Sequence, residues 1–212
     1  AALSTDIGVS SWLFPKPEGD CTEAQRKCVK LALSTETHLA ESITAVQQVE
    51  ASKQMTDLLL AFTQNMNTNA PLSLPEELNS TLKQGQALFN KVGCNGCHQP
   101  SFNIPNSTQS DTMATVQISP YTDLLLHDMG QALADNRNEF QANGREWRTA
   151  PLWGIGSYLK QTQTPHFLHD GRARSILEAI LWHEGEAEIS QHAFMNLNKD
   201  QRSALIEFVE SR

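Results

Sequence analysis

The sequence predicts a mainly α-helical fold: a helical domain with long irregular loops wrapped around one bound group, preceded by an N-terminal helical extension. Three observations predict it. Apolar residues recur at three- and four-residue spacing in several separate segments. Residues 99–157 are rich in Pro, Asn, Ser, Thr and Gly, and so long a weakly patterned stretch needs something besides its own side chains for a core. Residues 94–98 read C-x-x-C-H, a set of attaching and ligating groups that brings such a core with it.

The composition sets the outer limits. With 212 residues the chain holds one good-sized domain, or one domain plus an appended segment. Hydrophobic residues make up 39%, with no apolar run near the length of a membrane span, which argues against a spanning helix. The net charge of −8 argues against a nucleic-acid partner, because the basic footprint is missing. An acidic balance fits solubility or docking to a basic partner. The segment from Ala1 to Asp6 lacks a basic start and an apolar core, so the chain reads as a mature protein or a cut piece.

The elements follow in chain order. The first twenty residues, with Trp12, Phe14, Pro15, Pro17 and Gly19, read as an extended, irregular lead-in. A long helix is expected from about Glu36 to Met66, on the stripe Leu39, Ile43, Val46, Val49, Met55, Leu58, Leu59, Phe62 and Met66. That stripe makes Met55 and Met66 core residues. Residues 65–75 read as a linker, which divides the chain into an N-terminal part, 1–74, and a domain, 75–212. A second helix begins near Pro75, with Glu76 and Glu77 in its first turn, and runs to about Val92 on the face Leu78, Leu82, Gly85, Phe89 and Val92. Gly85 weakens that helix unless a close neighbour needs the space. The final helix, capped by Asn198 and carrying Ala204, Leu205, Phe208 and Val209 on one side, supplies such a neighbour. A short strand pair is expected around residues 114–119. A capping box of Ser175 and Glu178 opens a helix through Ile176, Leu177, Ala179, Ile180 and His183, stopped by Gly185.

The residues at 94–98 have the chemistry of c-type haem attachment. Cys94 and Cys97, a short turn apart, can form thioethers to the two haem vinyl groups, and His98 then lies under the iron as proximal ligand. Asn95 and Gly96 between them tolerate a tight turn. A structural zinc site needs four ligands, and no second close Cys or Cys/His pair exists. One covalently bound haem c is therefore expected. A glycine notch on the helix leading into this motif, crossed by an aromatic from the last helix, resembles the packing of cytochrome c domains, so the 75–212 domain is expected to be cytochrome c-like. A protein that acquires haem this way is expected to be periplasmic or otherwise exported, and soluble. The remaining cysteines, Cys21 and Cys28, then invite a disulfide. In an unbroken helix their Cα atoms would lie roughly 10 Å apart, too far for a bridge, so the pairing requires a break between them.

Four stretches in order, GQALFNKVGCNGCHQP (85–100), YTDLLLHDMGQALAD (121–135), EWRTAPLWGIG (146–156) and FLHDGRARSILEAILWHEGEA (167–187), resemble the di-haem oxidoreductase family, also labelled thiol oxidoreductases and related to bacterial di-haem cytochrome c peroxidases. The opening DIGVSSWLFPKPEGDC is similar to the family's segment between its two haem regions. Family members carry two C-x-x-C-H motifs and this chain has one, so it resembles their C-terminal haem half. The resemblance implies an electron-transfer module whose partner is a redox protein or a second haem domain. Two other readings stand beside it: a self-contained mono-haem carrier, and a peroxidase whose iron has an open sixth position.

A low-spin iron needs a second strong ligand, and the candidates are Met113, Met129, Met195, His127, His169, His183 and His192. In the related peroxidases this ligand is a Met fourteen residues after the His of the HDG motif, and that position here is His183. The spacing of His183 from Ile176 and Ile180 also puts it on the buried face of its helix. His183 is the expected ligand, with Met129 as the alternative. Arg148, Arg172 and Arg174 are candidate partners of the haem propionates, since guanidinium forks match carboxylates. His169 and Asp170 read as residues that hold their turn by hydrogen bonds. His127 and Asp128, adjacent in sequence, need not face each other, and Trp147 and Trp153 read as packing residues.

Overall fold

The computed structural model describes residues 2–5, 7–15, 23–27, 30, 49–65, 80–105, 115–139 and 141–212. The expected Cys21–Cys28 disulfide, Met66, Met113, the 66–75 linker and the Pro75–Leu78 start of the second helix lie outside them. The chain divides into two compact units, Ala1–Asn67 and Thr68–Arg212.

In the first unit the lead-in opens with one helical turn, α1 (Ala2–Thr5), and helix α2 spans Lys53–Asn65. Of the helix expected across residues 36–66, residues 36–48 lie outside the described residues, and residues 49–52 are not helical. The physical reason is a long-range tie. Glu50 Oε2 accepts from Ser10 N–H at 2.9 Å, Glu50 N–H donates to Ser10 Oγ at 3.1 Å, and Ala51 N–H donates to the Ser10 carbonyl at 2.9 Å. A backbone committed to a bridge between Ser11 and Ala51 cannot also continue a helix. Helix α2 starts beyond Ser52, whose Oγ accepts from Met55 N–H. Met55, expected in the core, is exposed, as are Leu58, Leu59 and Phe62 on the same stripe. The periodicity is helical, but no described element of this unit covers that face.

The second unit is built on a helix pair. Helix α3 (Ser80–Lys91) buries Leu82, Gly85, Leu88 and Phe89, and helix α7 (Lys199–Glu210) buries Ala204, Leu205, Phe208 and Val209. Asn198 caps α7 by accepting from Gln201 N–H, and the Gln201 side chain accepts in return from Asn198 N–H. The two helices touch at the predicted notch. A Cβ on Gly85 would lie 2.7 Å from Phe208 Cβ and would collide with the Ala204 carbonyl. Gly85→Ala is therefore expected to lower unfolding stability by about 1–3 kcal/mol, since only a shift of one helix backbone relieves the clash. Denaturant titration measures it, and an unchanged midpoint would contradict this packing.

Between the helices lie two small antiparallel pairs. Strand β1 (Phe102–Pro105) pairs with β2 (Thr115–Ile118); only β2 lies where a strand pair was expected, and its partner comes from upstream of that region. Strand β3 (Leu126–Asp128) pairs with β4 (Glu146–Arg148), placing His127 opposite Trp147. This second pair is too short to announce itself by alternation. Helices α4 (Ile155–Gln161), α5 (Ile176–Leu181) and α6 (Glu188–Met195) complete the unit. Ser175 caps α5 by accepting from Glu178 N–H, but the expected capping box is half formed. The Glu178 carboxylate accepts from Arg174 N–H instead. Helix α5 also ends earlier than expected: His183 lies past its last turn, with its N–H donating to the Ile180 carbonyl at 3.1 Å.

One apolar cluster joins these parts. It contains Leu88, Phe89, Val92, Tyr121, Ile176, Phe194, Leu205 and Phe208, with Cys94 and Ile180 packed against it.

Candidate functional site

Two residues past the end of helix α3, Gly93, with a φ of +91°, turns the chain into a single 3₁₀ turn at Cys94–Gly96. His98 N–H donates to the Cys94 carbonyl at 2.9 Å, so the turn carries through the whole motif and presents Cys94, Cys97 and His98 from one short scaffold. Burial pushes the Cys94 thiol up to about 11, with the neighbouring Cys97 adding to it. Burial also raises Cys97, and the charges of Asp123 and Glu186 act in the same direction.

His98 is oriented by backbone. Its Nδ1–H donates to the Tyr121 carbonyl at 3.0 Å. Tyr121 reaches that position with φ +55°, an unusual conformation for a non-glycine residue. Two anchors hold it. Its ring is buried edge-on against Phe89 and Phe208, and the next residue, Thr122, donates from Oγ1 to the Thr149 carbonyl at 2.7 Å. Burial lowers His98 to about 4, against the opposing effect of the Tyr121 hydrogen bond, so the ring is neutral at physiological pH.

His183 mirrors this arrangement. Its Nδ1–H donates to the Ala179 carbonyl at 2.7 Å, and burial lowers its pKa. The His98 and His183 rings lie with centroids 6.5 Å apart and planes at 46°. With each Nδ1 tied to a carbonyl, each ring keeps Nε2, which has no hydrogen-bond partner among the described residues. Backbone carbonyls bonded in this way fix the tautomer and leave the other nitrogen free to act as a ligand. Metal–imidazole bonds of about 2 Å on each side put two ring centres about 6 Å apart. The spacing here fits one metal ion between two neutral imidazoles.

The other candidates are engaged differently. His127 does not pair with Asp128. It donates from Nε2 to Asp123 Oδ2 at 2.9 Å and from Nδ1 to Glu186 Oε2 at 2.8 Å. The Glu186 hydrogen bond first, and Asp123 after it, raise the His127 pKa. In return the His127 hydrogen bond lowers Glu186, and burial of Asp123 is outweighed by hydrogen bonds from Leu125 N–H and His127. Cys97, Asp123 and His127 bring their ligating atoms within 4.8 Å of one another. His169 is stacked on Trp147 at 3.6 Å and 11°, and Trp147 Nε1–H donates to the Leu133 carbonyl. Met129 is half-buried beside β3, while Met195 and His192 are exposed on α6.

Arg172 is committed within the protein, donating to Asp170 Oδ2 at 2.6 Å and to the Ala132 carbonyl at 2.6 Å, with its guanidinium over Trp182. Asp170 holds its turn as expected, accepting from Arg172 N–H as well. Arg148 and Arg174 are exposed.

A family model described as "Di-haem oxidoreductase, putative peroxidase" matches residues 1–212. The chain belongs to the di-haem oxidoreductase family. No curated protein and no solved structure matches it. As a di-haem oxidoreductase the chain has a haem-binding family behind its C-x-x-C-H motif, and the donor set fits that cofactor. Two thiols and a histidine share one turn, and the ring of a second histidine lies 6.5 Å from that of the first between centroids. No helix among the described residues is long and apolar enough to cross a membrane.

Two parts of the site escape a sequence reading. The Tyr121 carbonyl is backbone, so no side-chain pattern marks it; only the buried aromatic in a loop hints at an anchored segment. The Asp123–His127–Glu186 cluster joins His127 to a residue 59 positions away, whereas along the sequence His127 was considered only with its neighbour Asp128.

Proposed function

We propose that this chain is the electron-transfer module of a di-haem, peroxidase-like oxidoreductase. In this reading residues 75–212 hold one covalently bound haem c, and residues 1–74 form an N-terminal extension. Cys94 and Cys97 would hold the haem through two thioethers, and His98 and His183 would ligate its iron. The observation that carries this reading is the facing pair of neutral imidazoles, each tied through Nδ1 to a backbone carbonyl.

The haem, when bound, supplies a one-electron couple. The protein does the rest with fixed groups. Tyr121 and Ala179 hold both rings so that neither has to reorient between oxidation states, which keeps the reorganisation small. Two imidazoles favour ferric iron more than a His/Met pair does, so the module suits a low-potential relay. Phe89, whose ring centre lies 6.4 Å from that of His98, and the buried Tyr121 would keep water from that side. Arg148 and Arg174 are the arginines with side chains open to a propionate, whereas Arg172 serves its own turn. Leu124, Leu125 and Leu126 are each more than half exposed on the loop that follows Tyr121 and offer an apolar surface to a redox partner or second haem domain. Haem attachment of this kind supports a location outside the cytoplasm, where a Cys21–Cys28 disulfide is compatible. Alkylation without prior reduction is expected to leave both of those cysteines unmodified, and labelling of both would contradict the pairing.

The single motif predicts one haem per chain. Denaturing extraction is expected to leave haem on the polypeptide, and an alkaline pyridine spectrum to report one c-type haem. Release of the haem into acidified acetone would overturn the proposal. A stand-alone mono-haem carrier has the same site, and a search for a second C-x-x-C-H in the encoding gene separates the two. An open-iron peroxidase requires a high-spin ferric spectrum, which the position of His183 argues against.

A further inference from the structure

The segment that carries His183 is only partly held by its own helix. Helix α5 ends at Leu181, and beyond Ala179 the His183 ring has no further hydrogen bond among the described residues. What fixes the chain immediately after it is a separate set of contacts to strand β3. Gly185, at φ +58°, packs so closely that a Cβ there would collide with the Asp128 carbonyl. Glu186 then clasps the strand with both carboxylate oxygens: Oε2 accepts from His127 Nδ1–H at 2.8 Å and Oε1 from Asp128 N–H at 3.0 Å. The other nitrogen of His127 donates to Asp123 Oδ2 at 2.9 Å. Asp123 lies two residues past Tyr121, whose carbonyl orients His98. One imidazole therefore ties the loop supporting His98 to the turn that follows His183.

We propose that Glu186 and His127 form a latch that holds His183 at the sixth coordination position of the iron, so that both act as positioning residues for the distal ligand. This rests on the reading of His183 as that ligand. The geometry favours a latch over an incidental surface pair. An exposed ion pair alone contributes little. Here the side chains of Asp123 and His127 are 5% and 16% exposed, the hydrogen bonds are charge-assisted, and Glu186 is held at two oxygens. Glu186 is itself 56% exposed, so its removal leaves no cavity. Its loss would act on the turn and not on the core.

The test uses the haem-loaded protein and reads ligand exchange instead of turnover. Cyanide can bind a six-coordinate ferric iron only after a ligand leaves, so its association rate reports how often His183 detaches. Glu186→Ala is expected to raise that rate about tenfold, the factor for one lost charge-assisted hydrogen bond, and to add a high-spin fraction to the ferric spectrum. His127→Gln is expected to act in the same direction. Arg145→Ala, which removes only the 3.0 Å ion pair between Arg145 and Asp128, is the control and is expected to leave the rate unchanged. Should Glu186→Ala not accumulate with haem, the isosteric Glu186→Gln is judged by the same rate.

His183→Ala in the same assay distinguishes the two levels of the argument. If it speeds cyanide binding while the Glu186 and His127 variants match the wild type, the latch is wrong and the ligand assignment stands. If Arg145→Ala speeds binding as much as Glu186→Ala, general loosening of β3 explains the effect and the latch is again overturned. If His183→Ala changes neither rate nor spectrum, the ligand assignment itself falls and takes the latch with it.

Discussion

Replacing His183 by alanine is expected to turn the ferric iron from low spin to high spin and to open a position for cyanide or peroxide. The effect should be nearly complete, because among the described residues no other histidine ring is paired with that of His98. Ring centroids 6.5 Å apart leave room for one metal between these two residues. The remaining histidines of this unit are engaged elsewhere or exposed: His127 between two carboxylates, His166 at the surface on the Gly171 carbonyl, His169 against Trp147, His192 at the surface. His183→Met is expected to keep low-spin iron and raise the reduction potential by part of the roughly 0.8 V range that axial ligation spans. Retention of the low-spin spectrum in His183→Ala would move the search to Met129.

The second large effect is expected at Phe208. Its side chain is 1% exposed and its ring meets Phe89 at 5.4 Å and Tyr121 at 6.0 Å, with the Arg212 guanidinium 4.5 Å from its centre. Phe208→Ala removes the ring on which all three rest and is expected to lower stability by about 3–5 kcal/mol in denaturant unfolding. Because Tyr121 carries the carbonyl that holds His98, the loss should reach the haem as well, as a broadened ferric spectrum. A cost below about 1 kcal/mol would mean that this core is not organised around Phe208.

The α3–α7 pair was legible because helical periodicity is a local signal and Gly85 stands out on an otherwise apolar face. The C-x-x-C-H turn was legible for the same reason: its chemistry is contained in five consecutive residues. His183 was singled out by its offset from the HDG motif and by the spacing from Ile176 and Ile180, yet the helix that was to carry it stops at Leu181. Its position depends on a turn, and Gly185 marked that turn without revealing the strand packed against it. The break before Lys53 was hidden because its cause, the Ser10–Glu50 tie, spans forty residues while the apolar stripe runs straight through it. Periodicity likewise placed Met55 in a core that no described element completes. Tyr121 and the Asp123–His127–Glu186 cluster were invisible for a common reason. Their roles are set by backbone direction and by contacts across the fold, neither of which leaves a pattern along the chain.

The central claim is that two histidines, His98 and His183, hold one covalently attached haem in this chain. Electron paramagnetic resonance of the ferric protein, with near-infrared magnetic circular dichroism on the same sample, tests it most directly. The account predicts low-spin iron with the signature of two imidazole ligands and no high-spin component. High-spin iron, or the charge-transfer band of a methionine sulfur ligand, would contradict it.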